Sequence, residues 1–122
     1  KNLDAFDFRS FIAPHLHLIE PQGYLPFLKL VQQSVCILTD SGGIQEEAVL
    51  FKKRCFTLRR NTERPSTIDS GSNVLIDPEK PTDRALVLEY AAHPTMITNI
   101  TTPEFWDGKA GERILDILKS NT

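Results

Sequence analysis

The sequence predicts an α/β domain built on a parallel sheet with helices on both faces. Three observations predict it. Short apolar runs of strand length alternate with longer stretches in helical spacing. The run Val35–Thr39 is apolar up to its last residue, as a strand covered on both faces is. Each internal run ends in a polar turn: Asp40-Ser41-Gly42-Gly43, Arg59 to Pro65, and Asp77-Pro78. Such alternation marks βαβ units, which assemble parallel sheets with helices on either side.

The elements follow in order. His15 to Glu20 alternates apolar and polar residues and reads as a strand, broken by Pro21-Gln22-Gly23. From Tyr24 to Gln33 the positions Tyr24, Phe27, Leu28 and Val31 keep helical spacing. Val35–Thr39 is the next strand. The helix after it carries Ile44, Ala48 and Phe51 on one face, with Lys52 and Lys53 where the negative end of a helix favours cations. Cys55–Leu58 is a buried strand, followed by the polar loop Arg59–Pro65. A short helix over Ser66–Asp69 closes on Gly71 as a left-handed cap. Val74–Ile76 is a fourth strand. Thr82–Ala92 is helical with a broad apolar face and stops at His93-Pro94. Thr95–Gly108 is irregular. Ala110–Lys119 is a last amphipathic helix, with Ile114, Ile117 and Leu118 on one stripe. The class is Rossmann-like, in which ligands bind beyond the carboxyl ends of the strands. The turns beginning at Asp40 and Arg59 share that rim.

Composition narrows the function. At 122 residues there is one domain with a real core. A net charge of -2 with acids and bases intermixed gives no nucleic-acid footprint. Lys52, Lys53 and Arg54, with Arg59 and Arg60 nearby, read as a solvated helix end and strand flanks. Attraction of anions is the alternative. Cys36 and Cys55 sit in apolar runs as small core residues, which suits a reducing, cytoplasmic compartment. No apolar stretch reaches the roughly 18 residues of a membrane span. The chain opens at Lys1 on a polar segment with neither cap nor strand, and is expected to be one part of something longer.

The strongest chemical signal is Leu38 to Ala48. An apolar strand runs into Ser41-Gly42-Gly43 and directly into a helix. Glycines admit a ligand to the backbone, and the first turn of a helix offers unpaired N–H groups at its positive end. Together they suit phosphate. Glu47, further along that helix, could accept two hydrogen bonds from a ribose diol; Glu46 points about 100° away. Either could equally be a solvated surface acid. Arg59, Arg60 and Arg64 beside a strand end could clamp a diphosphate, or form a charged loop in water.

Thr39 to Ala48 resembles the signature of the UDP-N-acetylglucosamine 2-epimerase family. Thr62-Glu63-Arg64-Pro65, followed by Gly71 and Asn73-Val74-Leu75, resembles the family's next block at the right distance. Ile19 to Phe27 is similar to its strand-to-helix entry, and Asp107 to Ile114 to its C-terminal helix. The segment Thr95–Phe105 matches loosely, and Val49–Arg54 departs from a stretch that in the family often holds Gly or Pro.

The resemblance implies one half of a glycosyltransferase-B-type two-domain fold, with residues 1–122 as the nucleotide-binding C-terminal domain. Gln22 and Phe27 would contact uracil. Ser41, Gly42 and Gly43 would hold the diphosphate, Glu47 the ribose, and Arg64 the phosphate or sugar side. The family inverts C2 of the sugar by eliminating UDP to a glycal and adding it back; a branch hydrolyses the intermediate. The general acids and bases lie outside the matched positions, so no catalytic residue is expected in this chain. The implied partners are UDP, UDP-N-acetylglucosamine, an N-terminal domain and, for the parent, a second copy in a homodimer, with no cofactor, metal, nucleic acid or membrane. A glycosyltransferase donor domain and a UDP-N-acetylglucosamine-sensing module are the alternatives.

Other residues carry weaker signals. His15 and His17 would share a strand face, but nothing nearby completes a metal set. Ser41 lacks the glycine two positions earlier that a nucleophile elbow uses, since Thr39 stands there. Phe105 and Trp106 are expected in core packing, with a partner surface as the alternative.

Overall fold

The computed structural model describes residues 16–94 and 99–120. In chain order the elements are α1 (Tyr24–Gln33), β1 (Cys36–Thr39), α2 (Gly42–Leu50), β2 (Arg54–Thr57), α3 (Pro65–Asp69), β3 (Asn73–Leu75), α4 (Pro81–Ala92) and α5 (Ala110–Ser120). The three strands form one parallel sheet in the order β1-β2-β3. The expected α/β class with a parallel sheet is therefore present.

β2 is central and buried along its whole length. It pairs Cys36 with Arg54 and Leu38 with Phe56 on one side, and Cys55 with Asn73 and Thr57 with Leu75 on the other. Alternate residues of β2 face opposite ways. Arg54 and Phe56 face α4, where Phe56 meets the Tyr90 ring edge-on at 5.6 Å and forms a core with Ile76. Cys55 and Thr57 face the other layer, which α2 and α3 cover. Helices thus lie on both faces. Cys36 and Cys55 belong to opposite sheet faces, and both thiols are free.

Arg54 is buried. Its guanidinium lies 5.8 Å from the centre of the Tyr90 ring and donates to the Ser72 carbonyl at 3.1 Å. Loss of water around it lowers its pKa. It is therefore a core residue and not part of a surface cluster. Lys53 donates to the Ser34 carbonyl and Lys52 to the Thr102 hydroxyl, so the basic run is dispersed.

Two helix ends show how local sequence sets geometry. After α3, Gly71 takes φ +80 and donates to Ile68, as expected of a left-handed cap. After α2, Lys53 N–H donates to Ala48 and Lys52 N–H to Val49, a Schellman closure that puts Lys52 at φ 55. A lysine therefore occupies the position that glycine favours.

Three expectations need correction. Residues 16–20 form no strand, and Leu16, Leu18 and Ile19 are exposed; His15 lies outside the described residues. Alternation supplies a face but no hydrogen-bonding neighbour, and this segment does not pair with β1. Phe105 is 64% exposed, with φ 67 and the Arg113 guanidinium 4.9 Å above its ring, so it is not core; Trp106 is half-buried. In α2 the buried positions are Gln45, Ala48 and Val49, while Ile44 and Phe51 are half-buried. The buried stripe has turned to take in a polar residue.

Candidate functional site

β1 ends at Thr39, and Asp40 and Ser41 turn the chain into α2. The Thr39 hydroxyl accepts from the Ser41 N–H at 3.1 Å and fixes the turn. The helix begins at Gly42, so both glycines stand inside its first turn. Their N–H groups are therefore among the orphan donors of the helix start. Ser41 is the N-cap, yet its hydroxyl makes no capping hydrogen bond, and the first turn holds no acid. The positive end of α2 receives no acceptor from its own cap.

The two glycines differ. A Cβ on Gly42 would stand 3.0 Å from Glu63 Oε1 and 3.6 Å from Arg64 Nε. A Cβ on Gly43 would meet nothing within 4 Å. Gly42 makes room for the loop after β2, whereas Gly43 leaves open space beside the helix start.

That loop sorts the three arginines. Arg60 pairs with Asp77 at 3.1 Å and Glu79 at 3.3 Å, beyond the end of β3. Arg59 pairs with Glu63 at 3.4 Å. Arg64 pairs with Glu46 of α2 at 3.6 Å. The pairs of Arg59 and Arg64, exposed on both sides, add little stability. Each arginine of the loop is thus paired with a carboxylate, and Arg64 is the one that a Cβ on Gly42 would meet, at 3.6 Å.

A buried polar network holds this arrangement. Gln45 Oε1 accepts from the Thr62 hydroxyl at 2.7 Å and from Asn73 Nδ2 at 3.0 Å. Asn73 Nδ2 also donates to Thr67 Oγ1 at 3.0 Å, and Thr57 donates to Asn73 Oδ1 at 2.6 Å. Thr62 Oγ1 accepts the Arg64 N–H at 3.1 Å, and the Thr67 hydroxyl donates to the Arg64 carbonyl at 2.7 Å. Both backbone groups of Arg64 are thereby tied to α2, α3 and the sheet. Sequence reasoning missed Gln45, Thr57, Thr67 and Asn73 as site-building residues. The available signal was their polarity at positions where an apolar pattern should continue inward.

The two candidate ribose acids separate. Glu46 is committed to Arg64, while no hydrogen bond or ion pair ties the half-buried Glu47 carboxylate to a described residue. Phe27 is half-buried in a groove of about 240 Å³ shared with Thr39 and Ile44, so it borders the same strand end. Gln22 lies in exposed chain ahead of α1, and its amide donates to the Glu20 carbonyl at 2.7 Å. No hydrogen bond joins it to α2 among the described residues.

A family model described as UDP-N-acetylglucosamine 2-epimerase matches residues 4–119. The chain belongs to the UDP-N-acetylglucosamine 2-epimerase family. The Methanocaldococcus jannaschii UDP-N-acetylglucosamine 2-epimerase is 46% identical over 103 residues, covering 84% of this chain and 27% of that protein. The crystal structure of the M. jannaschii enzyme in complex with UDP-GlcNAc and UDP is similar at a TM-score of 0.73 and 40% identity, over 97% of this chain and 32% of that one. The Neisseria meningitidis enzyme bound to UDP-GlcNAc gives a TM-score of 0.76 at 35% identity, over 92% of this chain and 31% of that one. The chain thus spans roughly a third or less of the length of these relatives. Its parallel sheet with helices is the fold of the matching part of these epimerases. No helix among the described residues is long and apolar enough to cross a membrane.

Proposed function

We propose that this chain is the UDP-binding C-terminal domain of a two-domain UDP-N-acetylglucosamine 2-epimerase. Ser41, Gly42 and Gly43 receive the diphosphate with Arg64, Glu47 binds the ribose hydroxyls, and Gln22 and Phe27 flank the uracil. The observation that carries this reading is the start of α2: N–H groups with no side-chain cap and open space at Gly43, with the Arg64 guanidinium and the Glu63 carboxylate beside Gly42. Helix-start N–H donors beside a guanidinium suit a diphosphate. Two relatives solved with UDP-GlcNAc share the fold around it. The unpaired carboxylate of Glu47 is free to accept from a diol.

In the epimerase reaction the bond from the anomeric carbon to UDP breaks as a proton leaves C2; UDP then adds back to the anomeric carbon while a proton returns to C2 on the opposite face. This domain serves the leaving group. The helix start and Arg64 stabilise charge that grows on the departing diphosphate. The proton transfers belong to the N-terminal domain, so the chain alone binds UDP without turnover. In the cell the parent works as a cytoplasmic homodimer that takes UDP-N-acetylglucosamine, with no cofactor.

Calorimetric titration with UDP tests the assignment. The wild-type chain should bind, and Glu47→Ala should weaken binding about tenfold or more, the scale of losing hydrogen bonds to a charged acceptor. Equal affinity in both proteins would remove Glu47 from the site. Sugar turnover by the chain alone would contradict the division of labour between domains.

A further inference from the structure

Arg64 stands beside the α2 start, where the side-chain partner it has among the described residues is Glu46. Its pairing with Glu46 is 3.6 Å long, with both side chains more than a third exposed. The firm contacts are on its backbone. Its N–H donates to the Thr62 hydroxyl at 3.1 Å, and its carbonyl accepts from the Thr67 N–H at 3.0 Å and the Thr67 hydroxyl at 2.7 Å. Both threonines lead to Asn73 and Gln45. Gln45 is fully buried, and its Nε2 has no partner. An unmade hydrogen bond of that kind costs stability, and an apolar side chain would avoid the cost. What the amide supplies is one oxygen that accepts from Thr62 and Asn73 together.

We propose that Gln45, Thr62 and Asn73 are positioning residues that set diphosphate affinity by fixing the backbone of Arg64 next to Gly42 and Gly43. The proposal rests on the UDP reading of this site. Thr62 is the hinge of the device. Its hydroxyl accepts from Arg64 and donates to Gln45, so one group links the loop to the phosphate-facing helix. A loop already held in its binding geometry loses less freedom when ligand arrives, which raises affinity without any new contact. The effect passes through Arg64, so it applies to the diphosphate and not to the nucleoside.

The test is a double-mutant cycle on this chain, with UDP and uridine titrated separately and followed by NMR shifts. Thr62→Val keeps the side-chain shape and removes the hydroxyl; Thr62→Ser keeps the hydroxyl. Thr62→Val should weaken UDP about tenfold, leave uridine within about twofold, and add less than about twofold once Arg64→Ala is present, as coupled residues behave. Thr62→Ser should restore UDP affinity. Equal losses for Val and Ser, equal losses for UDP and uridine, or additivity with Arg64→Ala would each overturn the positioning role while leaving UDP binding intact. Absence of UDP binding by the wild-type chain would contradict the UDP reading itself, and the positioning role with it.

Discussion

The two faces of the sheet are built from different chemistry. Toward α4, Phe56, Ile76 and Tyr90 make an apolar core. Toward α2 and α3, Thr57, Thr67, Asn73 and Gln45 are all buried and joined by hydrogen bonds. The apolar face is unselective about geometry. It even leaves a groove of about 380 Å³ lined by Leu38, Leu58, Val87 and Leu88 among others, with Leu88 71% exposed. The polar face has fixed directions and distances, and it is the one that ends at Arg64 and the α2 start. Burial of apolar area holds the domain together. The directional bonds decide where one loop sits.

The largest effect should come from the apolar face. Phe56→Ala should cost about 3–5 kcal/mol in urea unfolding, the usual loss for truncating a buried ring. A loss below about 1 kcal/mol would break the comparison, because the core would then lie elsewhere. Asn73→Ala should cost about 1–3 kcal/mol by leaving buried partners unpaired, and should also weaken UDP binding. An Asn73→Ala protein with normal UDP affinity would show that the polar face serves stability alone. The smallest pair concerns the two left-handed helix ends. Gly71→Ala should destabilise by about 1–2 kcal/mol, since a side chain is strained at that φ and its Cβ would meet the Asn99 carbonyl at 3.0 Å. Lys52→Gly should instead stabilise by up to about 1 kcal/mol in thermal unfolding, less whatever its hydrogen bond to Thr102 contributes.

The sequence carried the frame of the fold well, and particular residues show why. β1, β2 and β3 are bounded by turns that end them: Asp40-Ser41-Gly42-Gly43, the arginine loop, and Asp77-Pro78. Gly71 announced its conformation because few other residues adopt it cheaply. The segment 16–20 misled, since alternation is a local property while a strand needs a neighbour. In α2 the Ile44, Ala48 and Phe51 spacing leaves out Gln45, which the structure buries. Its two accepted hydrogen bonds come from residues 17 and 28 positions away, and no local pattern encodes such partners. The glycines, Glu47 and Arg64 form the pattern from which phosphate and ribose binding is proposed. The side chains that place Arg64 were not legible, for the same reason of distance along the chain.

The central claim is that UDP binds at the end of the polar face. The most direct measurement is a UDP titration followed by backbone amide shifts across the chain. The account predicts that Ser41, Gly42, Gly43 and Arg64 amides move first and furthest, while those of Val87 and Leu88 beside the apolar groove stay in place. Shifts confined to Val87, Leu88 and their neighbours, or no shifts from a folded chain, would contradict it.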